Sequence, residues 1–417
     1  MKRLFFLMVW ISAVCGGVYG QVTLDECLEA ARNHYPLIQE RDLIREVEQY
    51  DLKRIGKGWL PQLNVSAKAQ YQSEVVEMPF EIPGYEFDLP HDQYSVVGEL
   101  NQTVWDGGSN ASQKSKVRAE AEVQHRQLDV SLYAIRQQVQ NLFLGVLLMD
   151  KQIAQNEIVI KSLNRSLEEA RVGLEQGVSY QSDVDQVRVR ILDYQQKKDA
   201  LCADRKTYVA MLGKLTGKDL DGAQFSEPEV TVETDSIRLA RPEMGLYQAQ
   251  LRQTEVQRKE LQTYLYPKLN LSFQGGLGRP GLNMLKNEFE PYYTVGLKLQ
   301  WNIGALYSRK EDLRKVKAQE RRVKIEQETF VFNTMLEATE QMNAVDKAER
   351  IWKQDREIIR LRESLRQAGE EQYRQGVIRM TELMDRIDDE FDARVAESIH
   401  QVQFIMAVYD LRNTLGQ

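Results

Sequence analysis

The sequence predicts a mainly α protein with a small β part, in which a strand hairpin followed by long coiled-coil helices occurs twice. Three observations carry that expectation. Pro61-Gln62-Leu63-Asn64-Val65-Ser66 returns as Pro267-Lys268-Leu269-Asn270-Leu271-Ser272, offset by 206 residues, the same offset that relates Pro36 to Pro242. Four segments of about ten residues alternate apolar and polar side chains, the period of a strand with one greasy and one wet face. No proline occurs from His91 to Glu227 or from Tyr292 to Gln417, and helix formers dominate both stretches.

The chain of 417 residues opens with Lys2 and Arg3 before an apolar run from Leu4 to Val14, then small residues and a cut after Val18-Tyr19-Gly20. Residues 1–20 read as a secretory signal peptide, too short to span a membrane. Lipidation at Cys15 is the rival, with Ser12-Ala13-Val14 a poor lipobox. No later apolar run reaches the ~18 residues of a membrane helix. Beyond residue 20 the chain carries 53 bases against 62 acids, a net charge of −9, which argues against nucleic acid as a partner. Cys27 and Cys202 build no disulfide framework; they pair with each other or, the commoner case, stay as two buried free thiols.

Residues 21–217 form the first repeat, 218–241 a linker and 242–417 the second repeat. From Tyr94-Ser95-Val96 and Tyr293-Thr294-Val295 onward the offset is 199, and it holds to Gly217 and Gly416. The strands fall near 62–72, 94–104, 268–278 and 293–303. Tyr94, Val96, Gly98, Leu100, Gln102 and Val104 share one face of the second, and Tyr293, Val295, Leu297, Leu299, Trp301 and Ile303 one face of the fourth. Such strands match the transmembrane barrel pattern. The lipid-facing set is Leu63, Val65, Val96, Leu100, Leu269, Leu271, Val295, Leu297, Leu299 and Trp301. Four strands cannot close a barrel, and an open sheet leaves unpaired backbone in lipid. Other chains must complete it: two copies give eight strands and a plugged interior, three give twelve and a channel.

Each hairpin leads into a long helix, about 108–175 and 307–374, and a return helix, about 182–215 and 381–415. Leu128, Leu132, Ile135, Val139, Leu142, Val146, Met149, Ile153, Ile160, Leu163, Leu167, Ala170 and Leu174 follow 4–3 spacing, interrupted at Asn156, and form a heptad seam. The first long helix extends roughly 100 Å at 1.5 Å per residue. Gly177 and Gly376 stop the two long helices.

These parts together resemble the TolC-like outer-membrane efflux channel family across essentially the whole chain after residue 20. Thr23-Leu24-Asp25-Glu26-Cys27-Leu28-Glu29-Ala30-Ala31 resembles the family's opening helix, and Arg241-Pro242-Glu243 the start of its second repeat. Val104-Trp105-Asp106-Gly107-Gly108 resembles its strand-to-helix junction. Gln176-Gly177-Val178 with Ser182-Asp183-Val184, and Tyr373-Arg374-Gln375-Gly376-Val377 with Thr381-Glu382-Leu383, resemble its helix tips. The resemblance implies a homotrimer: a 12-stranded transmembrane β-barrel in the outer membrane of a Gram-negative bacterium, continued by a periplasmic α-helical barrel. It implies the exit duct of a tripartite efflux system, docked to a periplasmic adaptor and an inner-membrane transporter. By position it gives Asp183, Tyr373, Glu382 and Asp385 as gate candidates, and Gly177, Val178, Gly376 and Val377 as the adaptor-docking tips. The arginine expected two residues past the second glycine is replaced by Ile378, with Arg379 next to it.

Each feature also has a plainer explanation. Ser182 and Thr381 are good N-caps, and Asp183 and Glu382 after them complement a helix dipole. Asp385 lies on the same helix face as Glu382, further from that dipole. Tyr373 equally suits seam packing. Gly275-Gly276-Leu277-Gly278-Arg279-Pro280-Gly281 reads as a barrel-mouth turn, since no helix follows to make a phosphate loop. His34, His91, His125 and His400 lack metal-ligand spacing. Loop 74–92 carries Glu74, Glu77, Glu81, Glu86, Asp88 and Asp92 without a base. No nucleophile–base set or cofactor fingerprint appears, so neither an enzyme nor a bound cofactor is expected. The alternatives are a type I protein-secretion duct and, from another class, a periplasmic coiled-coil adaptor or scaffold; four amphipathic strands argue against the latter.

Overall fold

The computed structural model describes residues 21–75, 90–230 and 239–417; the expected signal peptide with Cys15, and Glu77, Glu81, Glu86 and Asp88, lie outside them. In chain order the elements are α1 (Leu24–His34), α2 (Glu40–Gly56), β1 (Gln62–Tyr71), β2 (Asp92–Trp105), α3 (Ser109–Glu175) and α4 (Gln181–Thr216). The second half follows with α5 (Pro242–Thr263), β3 (Lys268–Arg279), β4 (Glu290–Gln300), α6 (Ala305–Arg374) and α7 (Met380–Leu415). Among the described residues no helix is long and apolar enough to cross a membrane. The chain divides into two compact units, and α3 and α6 contribute residues to both.

One unit comprises Gln39–Val130 and Pro242–Val331. Its sheet is antiparallel throughout, in the order β1-β2-β3-β4. Residues directly opposite in antiparallel strands share a face, so the register sorts the side chains. One face carries the rows Leu63, Leu100, Phe273, Val295 and Ala67, Val96, Leu277, Pro291, with Leu271 opposite Leu297 and Leu269 opposite Leu299. The other carries Asn64, Glu99, Gln274, Thr294 and Gln62, Asn101, Ser272, Gly296. Alternation along each strand thus adds up to a continuous apolar face backed by a polar one. Leu63, Val65, Val295, Leu297 and Leu299 are all exposed in the single chain.

Several details depart from the sequence expectation. A register shift between Thr103 and Trp105 puts Trp105, not Val104, opposite Leu269. The fourth strand ends at Gln300, so Trp301 and Ile303 lie beyond it. There the amides of Ala305 and Leu306 bond back to Asn302 and Ile303 (3.3 and 3.0 Å), turning the chain into α6, and Trp301 donates Nε1–H to the Leu265 carbonyl at 3.1 Å. Gly275, Gly276 and Gly278 sit inside β3 rather than in a turn, and a Cβ on Gly276 would lie 2.8 Å from the Val96 carbonyl.

The helices of this unit follow the order of the strands. Arg41 of α2 pairs with Asp129 of α3 at 2.8 Å, Lys116 of α3 with Glu260 of α5 at 3.7 Å, and the ring of Tyr247 of α5 lies tilted against that of Phe330 of α6, centroids 5.8 Å apart. That leaves β1 and β4, and likewise α2 and α6, as the flanks. Leu43, Val47 and Tyr50 are exposed on α2, and Ile325 on α6.

The other unit contains α1, α4, α7 and the remaining lengths of α3 and α6. The seam side chains Val139, Val146 and Leu163 of α3 are fully buried here, as 4–3 spacing demands. Asn156 is buried in the same seam and donates Nδ2–H to the Gln152 carbonyl at 2.9 Å. One apolar cluster joins Val159, Leu163 and Leu167 of α3, Val184, Val187 and Ile191 of α4, and Leu383, Ile387 and Phe391 of α7. Residues 22–24 and the segment after α4 are tied by the Val22–Phe225 bridge, and Phe225 packs edge-on against Phe143 at 5.4 Å. Cys27 is buried and its thiol is pushed up to about 11 by that burial; Cys202, expected to be buried, is exposed on α4. Both thiols are free.

Candidate functional site at the helix tips

Both long helices end in the same way. At the end of α3 the amide of Gly177 bonds to the Leu174 carbonyl (3.0 Å) and that of Val178 to Gly173 (2.9 Å). At the end of α6, Gly376 bonds to Tyr373 (2.9 Å) and Val377 to Gln372 (2.8 Å). This paired pattern with a left-handed residue is the Schellman cap, and Gly177 and Gly376 have φ of +74° and +72°. Past each glycine a valine stands clear of the fold, Val178 at 75% and Val377 at 67% exposure.

The return helices start earlier than Ser182 and Thr381 suggest. Tyr180 and Arg379 occupy the N-cap positions, both with extended backbone. Asp183 lies three residues into the turn and its Oδ2 accepts the Tyr180 amide at 2.9 Å, so its carboxylate serves the helix start. Glu382 and Asp385 are exposed on α7. Asp385 lines a groove of about 510 Å³ between α4 and α7 with Thr381, Asp185, Arg190 and Asp193. Asp183 and Glu382 do not line it. Tyr373 is half-buried against the tip cluster, its hydroxyl 3.4 Å from Ser179 Oγ, and Ile378 packs into the same cluster.

Next to the groove lies a polar link that the sequence does not single out. Asp388 of α7 accepts from Tyr194 Oη at 2.9 Å and pairs with Arg190 at 2.8 Å, both on α4. Burial raises the Asp388 pKa, with the Tyr194 hydrogen bond and the Arg190 charge pulling the other way. Tyr194 is raised by burial and then by the Asp388 charge; Phe391 meets its ring edge-on at 4.7 Å and Lys197 covers it at 4.7 Å. A second set joins α6 to α7: Arg366 pairs with Glu390 and Glu370, and Arg394 reaches Glu390 at 2.7 Å and Glu363 at 3.4 Å. Burial alone would lower the Arg366 pKa, yet Glu390 and Glu370 hold it above the usual value. Arg374 closes the tip by pairing with Glu169 of α3 at 3.1 Å. The one sequence clue to Asp388 is its place three residues after Asp385, on the same helix face.

Residues 27–218 match the outer membrane efflux protein family. The outer membrane channel CmeC of Campylobacter jejuni superimposes with a TM-score of 0.65 at 13% identity, covering 94% of this chain and 85% of that one. The MtrE outer membrane channel of Neisseria gonorrhoeae, in its open state, gives 0.66 at 15%, covering 94% and 88%. CusC, described in connection with folding and transmembrane channel formation, gives 0.69 at 12%, covering 96% and 95%. No curated protein sequence matches the chain. At these identities the likeness is one of fold, and it extends over nearly the whole chain.

Proposed function

We propose, from the match of residues 27–218 to the outer membrane efflux protein family and the outer-membrane channel fold of the whole chain, that three copies form the exit duct of a tripartite efflux system. The sheet carries this reading. It has one continuous apolar face, one polar face and two unpaired edges, and β4 of one copy meeting β1 of the next satisfies both edges without exposing backbone to lipid. Twelve strands leave an aqueous interior lined by Asn64, Glu99, Gln274 and Thr294. The adaptor meets the tips, where Val178 and Val377 offer paired apolar contacts, and the adaptor in turn holds an inner-membrane transporter.

Glu382 and Asp385 form the gate constriction, recurring three times around the axis, whereas Asp183 acts chiefly as a helix cap. The Arg190–Asp388–Tyr194 link then holds α7 against α4 in place of the arginine absent at Ile378. Single-channel recordings test the assignment. The wild type should prefer cations and be blocked by multivalent cations from the tip side. E382Q/D385N keeps the side-chain shapes and should lose both properties. If preference and block persist in that variant, the gate lies elsewhere; a water-soluble monomer with an intact strand signal would overturn the channel itself.

A further inference from the structure

The four connections between strands and helices all lie at one end of the sheet: Gln62 and Trp105 on the first hairpin, Lys268 and Gln300 on the second. Six aromatic side chains are exposed there, Trp59, Trp105, Tyr264, Tyr266, Trp301 and Tyr307. Trp and Tyr favour the boundary between hydrocarbon and headgroups. Immediately beyond them the charge changes sharply. Residues 50–60, 106–118, 256–267 and 303–317 hold 13 bases against five acids, a net +8, whereas the rest of the chain after residue 20 holds 40 against 57. All but Lys114 and Lys116 of those bases are exposed. Lys57, Arg118, Lys310, Lys315 and Lys317 form no ion pair among the described residues. The opposite end of the sheet shows no such excess: Lys286 and Arg279 stand there with Asp92, Glu288 and Glu290.

The internal repeat adds a second argument. Lys116 and Glu260 pair across α3 and α5, but their counterparts by the two offsets are Lys315 and Arg54. Where α6 of one copy meets α2 of the next, that attraction becomes a meeting of like charges; Arg54 holds Asp51 at 3.1 Å, but Lys315 has no ion pair among the described residues, so the meeting favours an anion from outside the protein.

We propose that this basic collar binds the phosphates of anionic phospholipids in the leaflet on the helix side of the outer membrane, so that an acidic chain is seated by a positive ring. The proposal rests on the barrel reading above. Apolar rows, aromatic belt and bases follow one another in the order of acyl chain, interface and headgroup. The long lysine and arginine stems suit this, since they lie along apolar surface while their charges reach the phosphates. Each base near an anionic surface strengthens binding roughly fivefold at low salt.

The test reconstitutes the full-length trimer in bilayers of phosphatidylethanolamine with one-fifth phosphatidylglycerol, extracts it gently and measures the retained lipids by mass spectrometry. Wild type should retain phosphatidylglycerol with its ratio to phosphatidylethanolamine about fivefold above that of the bilayer, and 0.5 M salt should reduce that. K310Q/K315Q/K317Q should bring the ratio close to bulk with trimer mass unchanged; K206Q/K214Q, exposed lysines on α4, should not. If the triple variant fails to assemble, K57Q/R118Q provides the same comparison from α2 and α3. Unchanged enrichment in the assembled variant overturns the proposal, and an accompanying shift in ion selectivity would assign those charges to the channel lumen. Wild type that conducts without enrichment overturns the collar alone; failure to insert at all overturns the barrel.

Discussion

Gly376 and Gly416 offer a controlled comparison, because both end a helix in the left-handed conformation yet meet different surroundings. Their φ values are +72° and +84°, and a Cβ in that region costs about 1 kcal/mol or somewhat more. At Gly376, as at Gly177, an added Cβ would find nothing within 4 Å, so the conformational cost stands alone. At Gly416 the Cβ would lie 2.4 Å from the Ala240 carbonyl carbon and 2.5 Å from the Arg241 nitrogen. That backbone is held in place, since Ala240 donates its amide to the Leu415 carbonyl at 2.7 Å. Relieving the clash means moving main chain, and overpacking of this kind adds about 1–3 kcal/mol. G376A should therefore lose about 1 kcal/mol per chain and G416A about 2–4. Urea denaturation of the assembled protein, followed by helical circular dichroism, measures the difference as a shift in midpoint at constant slope. Equal losses in the two variants would show that the φ penalty dominates and that the close approach at Gly416 relaxes freely, contrary to this reasoning.

V295K places a charge among the exposed apolar rows and should lower insertion into vesicles by about 2–4 kcal/mol, while T294K on the polar face should have little effect; equal losses would contradict the assignment of faces. L383A removes a fully buried side chain from the tip cluster and should cost about 2–5 kcal/mol, read by the same urea titration. G177V and G376V should weaken export in a susceptibility assay while leaving the trimer intact, and unchanged export in both would remove the tips as docking surface. Because burial raises the Asp388 pKa in the fold, its protonation stabilises: the contribution is present at acid pH and is lost as pH rises through the raised value. D388N should flatten that part of the stability–pH profile, and R190Q should steepen it by removing the charge that opposes the shift.

What was legible in the sequence follows from periodicity. Leu269, Leu271 and Phe273 occupy one face of β3 because alternate side chains must, and Leu299, Leu297 and Val295 meet them because directly opposed residues of antiparallel strands share a face. Positive φ at Gly177 and Gly376 was legible for a related reason, that a long apolar seam ends at a residue without a Cβ. Features set by tertiary contact were not. The shift at Trp105 depends on pairing with Leu269 of the second repeat, which no local pattern encodes. Tyr180 and Arg379 cap α4 and α7 although neither is a favoured capping residue, because the preceding glycine turn fixes where the chain can re-enter a helix. Asp183 consequently becomes a partner of the Tyr180 amide, and Asp185, two residues on, takes the place in the groove.

The repeat itself makes a stronger demand than any single motif. Within the strand unit β2 pairs with β3 and α3 packs beside α5, each joining an element of the first repeat to one of the second. The same surfaces recur on β4 and α6 and on β1 and α2, but one chain has no further repeat to supply their partners. A duplicated unit whose halves associate in this way contains an unfinished copy of its own internal interface. Burial of Leu43, Val47, Tyr50 and Ile325, all exposed in the single chain, is then the expected consequence of completing that interface with another copy. L43S/V47S should accordingly dissociate the assembly into monomers while the helices within each chain remain intact. Analytical ultracentrifugation in mild detergent measures this, and an undiminished trimer would show that these side chains face solvent in the assembled state.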